Sequence, residues 1–193
     1  MTQEEFIKVL LDDRARAVYS YEIEGDRIIV THGGLLDLRS LPSLPPGVVF
    51  KNEGYVLLDS LTSLPSGVEF RNGWDVDLRS LTSLPPGVVF KNGGDVRLDS
   101  LTSLPPGVEF RNGCDVDLRS LTSLPSGVVF KNGCDVDLRS LTSLPSGVEF
   151  KNGWDVYLGY LIGRWFKEWK GNIKGIASKR LLNVMIKQGV FER

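Results

Sequence analysis

The chain has 193 residues, 41% of them apolar and 24% charged, with a formal net charge of −1 and a single histidine. That size and balance fit one ordinary folded domain rather than a disordered tail. One histidine and two cysteines leave little material for histidine-based catalysis or a zinc site, and no run of 18 apolar residues offers a membrane span.

The charge is unevenly spread. Residues 1–32 carry 4 basic and 7 acidic side chains, whereas residues 162–193 carry 8 and 2. Such asymmetry marks separate segments, which we take as an N-terminal cap (1–25), a repeat array (26–161) and a basic C-terminal cap (162–193). The N-terminus, MTQEEFIKVL, lacks the basic-then-apolar order of a secretion signal, and two cysteines make no disulfide framework. A cytoplasmic setting is expected on both counts.

Residues 2–18 predict a short amphipathic helix. Thr2 and Glu5 fit a capping box, and Phe6, Val9 and Leu10 supply an apolar stripe. The helix would cover the open end of the repeat array, which the chain enters through a turn at Glu24-Gly25-Asp26.

From residue 26 a twenty-residue period takes over. GVEFRNGWDVDLRSLTSLPP (67–86) returns as GVVFKNGGDVRLDSLTSLPP (87–106), and related copies run from 47 to 161, with a looser one at 26–45. Within a unit, Val68 and Phe70 flank Glu69, and Val76 and Leu78 flank Asp77. This alternation predicts short strands with one buried face. Asn72-Gly73 between them reads as a turn that tolerates positive φ, and the Leu81–Leu84 segment ends at Pro85.

Twenty residues suffice for one solenoid turn but not for two antiparallel strands with a helix. We therefore expect an all-β repeat protein: a parallel β-solenoid of about seven coils with short helical caps, each residue lying over its counterpart twenty positions away. Phe50 to Phe150 would form one column and Asn52 to Asn152 another, with His32 a turn substitute at the start of the latter.

The unit resembles bacterial and phage repeat proteins carrying LTSLPxGVxFxNG segments, and its LTSLP run is similar to leucine-rich repeats of the LPxLP type. That resemblance implies a leucine-rich horseshoe as the alternative fold, and implies no activity. The usual leucine-rich signature is broken, because Asn72 precedes the Val76–Leu78 strand instead of following it.

Columns that vary among the copies should face water or a partner. One reads Gly34, Gly54, Trp74, Gly94, Cys114, Cys134, Trp154, and its tryptophans suit either a partner anchor or a cover for the turn edge. Asp75, Asp95, Asp115, Asp135 and Asp155 form an unbroken acidic row headed by Leu35 and Tyr55. The words NGGD and NGCD resemble calcium β-roll repeats, but those need a nine-residue spacing, so no metal is expected. Stacked Cys114 and Cys134 are read as free thiols. Their backbone spacing admits a disulfide, while their side-chain directions are open. Arg79 is expected to pair with Asp59 and Asp99 across coils.

The C-terminal segment sets Trp165, Phe166 and Trp169 among Arg164, Lys167, Lys170 and Lys174, with a helix expected after Ser178. Those aromatics either plug the end of the core or stack on bases.

No catalytic triad, P-loop, dinucleotide fingerprint, CxxC or HExxH occurs, so neither an enzyme nor a cofactor is expected. The reading is a non-enzymatic module that binds a protein through Trp74, Trp154, Tyr157 and the acidic row. One version is a phage- or mobile-element-encoded inhibitor of a host protein. Alternatives are an acidic mimic of nucleic acid, nucleic-acid binding by the basic C-terminus, and an assembly role through the ends.

Overall fold

A computed structural model describes residues 1–12, 19–145 and 147–158. The expected C-terminal cap, with its aromatic cluster and helix, lies outside the described residues.

Helix α1 (Gln3–Leu10) opens on the capping box: the Thr2 side chain accepts from the Glu5 N–H, and the Glu5 carboxylate accepts from the Thr2 N–H at 2.7 Å. Phe6 and Leu10 are fully buried and join the core shared with the first coil. Strands β1 (Tyr21–Glu24) and β2 (Arg27–Val30) then pair antiparallel around the turn at Gly25, whose φ is +59°. The antiparallel β1 was not legible in the sequence. It occupies the outer edge of its sheet, where an unpaired parallel strand would otherwise stand open.

The rest of the described chain is a parallel β-solenoid. One sheet carries β2, then Val48–Phe50, and then a two-residue strand every twenty residues to Glu149–Phe150. The other runs from Leu36–Asp37 to Val156–Tyr157 with the same step. Every parallel pairing sets residue n against n+20: Phe70 with Phe90, Val76 with Val96, Val116 with Val136. Both alternating segments thus build sheets of their own, which excludes the horseshoe. The LTSLP segment forms a third side, tied between coils by bonds such as Thr82 N–H to Thr62 C=O at 3.0 Å.

The core is a bundle of columns. From Phe50 to Phe150 the rings stack with centroids 5.3–5.4 Å apart and planes within 10°. That spacing lies close to the ~4.8 Å separation of neighbouring strands, so the backbone step carries the rings into offset stacking.

Glycine does two different jobs, and the Asn-Gly turn is not the one expected. Positive φ occurs after the proline pair or Pro-Ser, at Gly47, Gly67, Gly87, Gly107, Gly127 and Gly147, with values of 75–77°. Gly113, after Asn112, instead lies under its neighbour: a Cβ there would sit 2.0 Å from the Gly93 carbonyl oxygen. At Gly87 a Cβ would meet nothing within 4 Å. Gly87→Ala should therefore cost only the left-handed penalty, about 1 kcal/mol. Gly113→Ala must push two turns apart and should cost about 3 kcal/mol. Urea unfolding of the two variants checks the order, and equal losses would contradict it.

Candidate functional site

The column from Gly34 to Trp154 and the acidic row beside it lie along one edge of the solenoid, where each coil turns from the first sheet into the second. Asparagine builds that turn. In each regular coil the buried amide donates to three carbonyls: Asn72 Nδ2 reaches Gly54 O (3.1 Å), Trp74 O (2.8 Å) and Asp75 O (3.1 Å). Asn112 does the same with Gly94, Cys114 and Asp115. Two N–H groups thus serve three acceptors, one of them in the coil below. The reversed amide would aim its oxygen at three oxygens, so this orientation is fixed. It leaves the Oδ1 atoms of Asn52, Asn72, Asn92, Asn112 and Asn132 buried without a partner.

The tryptophans at this edge are exposed. Trp74 keeps 56% of its surface in water and Trp154 66%. Trp74 also stacks on Tyr55, with centroids 5.6 Å apart and planes at 24°. Tyr55 and Leu35, the residues that head the acidic row, are themselves exposed. Leu35, Tyr55 and Trp74 therefore make one apolar patch at the N-terminal end of the edge. Trp154 stands four coils away, roughly 19 Å at strand spacing. Tyr157 leans toward the acidic row, its hydroxyl donating to Asp135 Oδ2 at 3.5 Å. Tyr55 and Leu35 were absent from the sequence-derived site. Their signal was the apolar start they give to a column that is otherwise all aspartate.

The acidic row is a ladder. The N–H of Asp95 donates to Asp75 Oδ1 (3.0 Å), that of Asp115 to Asp95 (3.1 Å), of Asp135 to Asp115 (2.9 Å), and of Asp155 to Asp135 (2.7 Å). Each of these carboxylates closes the backbone of the next coil; the second oxygens of Asp75 and Asp95 face Arg97, and that of Asp135 accepts from Tyr157. Partial burial, followed by the charges of Asp95 and Asp135, holds the Asp115 carboxyl above the usual carboxylate range, against the backbone bond that lowers it. Tyr157 is likewise raised, by the charge of Asp135 first.

The neighbouring charges are paired, mostly within a coil. Arg79 meets Asp77 at 2.5 Å and Arg139 meets Asp137 at 2.5 Å, and Arg119 pairs with Asp117. The expected cross-coil partners of Arg79 are thus displaced by Asp77, two residues before it and on the same side of the strand. Arg119 does reach across, to Asp99 at 3.1 Å. Arg97 bridges to Asp75 at 3.3 Å and Asp95 at 3.7 Å. The columns 35–155, 37–157 and 39–139 together carry 11 acidic and 5 basic side chains, so the arginines offset only part of an acidic excess on this face.

Among the described residues, the acidic and thiol groups that converge on one point are Cys114, Asp115 and Cys134, whose ligand atoms lie within 4.8 Å of one another. No helix of the described residues is long and apolar enough to cross a membrane.

Neither a family model, a curated protein nor a solved structure matches the chain. The likeness to LTSLPxGVxFxNG repeat proteins accordingly rests on the repeat words alone.

Proposed function

We propose that the chain is a non-enzymatic protein-binding module that offers the edge from Leu35 to Tyr157 to a protein partner. The observation that carries this reading is the exposed Trp74–Tyr55 stack on a rigid scaffold. A half-exposed tryptophan held by a neighbouring ring has little freedom left to lose on binding, which favours it as an anchor. Trp154 and Tyr157 supply a second apolar contact at the far end, and the half-buried carboxylates of Asp75 to Asp155 supply polar contacts between them.

A phosphate-mimicking rail is less well supported. One oxygen of each of Asp75, Asp95, Asp115 and Asp135 is bonded to backbone, and Arg97 sets a positive charge against Asp75 and Asp95.

The test is recovery of partner from a cell extract by the wild-type chain and by Trp74→Ala, Trp154→Ala and the double variant. Both side chains are largely in water, so folding should be unchanged. Partner affinity should fall at least tenfold for the double variant, as for an anchor residue. Equal recovery by all four folded chains would refute the reading.

A further inference from the structure

We propose that Cys114 and Cys134 form an oxidisable dithiol, which a small-molecule disulfide of the glutathione class converts into a covalent staple between two stacked coils. The two residues occupy the same place in successive turns, and the Cys134 N–H points at the Cys114 carbonyl at 3.4 Å. Backbones at strand spacing, ~4.8 Å, lie inside the ~4.4–6.8 Å window that a disulfide bridges. The side chains turn toward each other: Sγ to Sγ is 2.7 Å, well inside the ~3.5–4 Å of ordinary non-bonded contact. Both residues are partly exposed, so an oxidant can reach them.

The exchange proceeds in two steps. One deprotonated thiol attacks the small disulfide, forming a mixed disulfide and releasing one small thiol. The second protein thiol then attacks the protein sulfur of that adduct and expels the second small thiol. One S–S bond breaks and one forms, and the two protein hydrogens leave on the released thiols. Cys114 is the thiol held protonated in the reduced pair. Its thiol is pushed up to about 12, first by its hydrogen bond with Cys134, then by burial and the charge of Asp115. Consuming the Cys134 thiol removes the largest of these influences.

Asp115 also converges on the pair, which raises a thiophilic metal ion as the competing occupant. Metal–sulfur bonds of ~2.3 Å in a tetrahedral site hold two sulfurs nearly 4 Å apart. The observed contact is far shorter, and favours the covalent bond.

The experiment is titration of the full chain with oxidised glutathione, read by intact mass and peptide mapping. The wild type should lose two hydrogens, show a Cys114–Cys134 linked peptide, and revert with dithiothreitol. Cys134→Ser should stop at a single glutathione adduct, and Cys114→Ser likewise. Closing a twenty-residue loop should slow hydrogen exchange of the joined coils by roughly a hundredfold where exchange requires their separation. The proposal fails if the wild type ends with two glutathione adducts, keeps both thiols, or dimerises through them. It also fails if stoichiometric zinc shields both thiols until a chelator removes it.

Discussion

Phe90→Ala is expected to destabilise the protein by about 3–5 kcal/mol, the usual cost of emptying a fully buried aromatic site. Phe90 has no exposed surface and lies between Phe70 and Phe110 at 5.3 and 5.4 Å, so truncation removes two stacking contacts as well as the ring volume. Strands on either side hold the cavity open, because their spacing is set by backbone bonds such as Lys91 N–H to Phe70 C=O at 2.8 Å. In a stacked array each coil is stabilised only by its neighbours, so the lesion is local in origin and divides the solenoid in two. Denaturant unfolding should show a lower midpoint, and hydrogen exchange should accelerate first in the coils around residue 90. A loss below about 1 kcal/mol would mean that the rings do not form a continuous column.

Much of this architecture is written in the period. Phe, Leu and Val recur at fixed places, and since neighbouring coils differ little, each residue is placed against its own copy. The strands and the columns follow from that alone, and the Thr2–Glu5 cap from its own four-residue pattern. Three features do not. The antiparallel β1 lies in a segment, Tyr21–Glu24, with no counterpart in any later coil. The role of Gly113 depends on the carbonyl of Gly93 in the adjacent coil, a contact no dipeptide pattern reveals. Arg79 chose Asp77 over Asp59 and Asp99 because alternation places residues two apart on one face of a strand, and a long guanidinium folds back onto the nearer carboxylate.

The candidate edge was half legible. Variation among copies identified Trp74 and Trp154 as residues that stacking does not demand, and both are exposed. The same comparison marked the aspartate row as constant, and constancy is what its role in closing successive turns requires. Its contribution to a partner would come through the part of each half-buried carboxylate that reaches the surface. Tyr55 and Leu35 belong to the edge because, lacking a carboxylate, they cannot bond the next coil's N–H and are left as apolar surface.

The asparagine column yields the other large effect, and one with a distinctive pH dependence. Asn112→Asp replaces an amide that donates to the Gly94, Cys114 and Asp115 carbonyls with a group that, when ionised, only accepts. Asn112 is 2% exposed, so a carboxylate there would face three carbonyl oxygens without water. Breaking a buried polar cluster in this way should cost about 3–5 kcal/mol at neutral pH. The folded state favours the protonated acid, so its pKa is raised above the ordinary ~3.9 of the unfolded chain. Between those two values the native state holds a proton that the unfolded chain has lost, so stability falls as pH rises through the window. Below about pH 4 the neutral acid can donate to one carbonyl, and the deficit relative to wild type should shrink to roughly 1–2 kcal/mol. Asn112→Leu should show a deficit that does not change with pH, since it leaves the carbonyls unbonded at any proton concentration. Unfolding free energies of wild type and both variants between acid and neutral pH make the comparison. An Asn112→Asp deficit as flat as that of Asn112→Leu would show that the amide hydrogens are not what holds the turn closed, and the edge that carries Trp74 and Trp154 would need another scaffold.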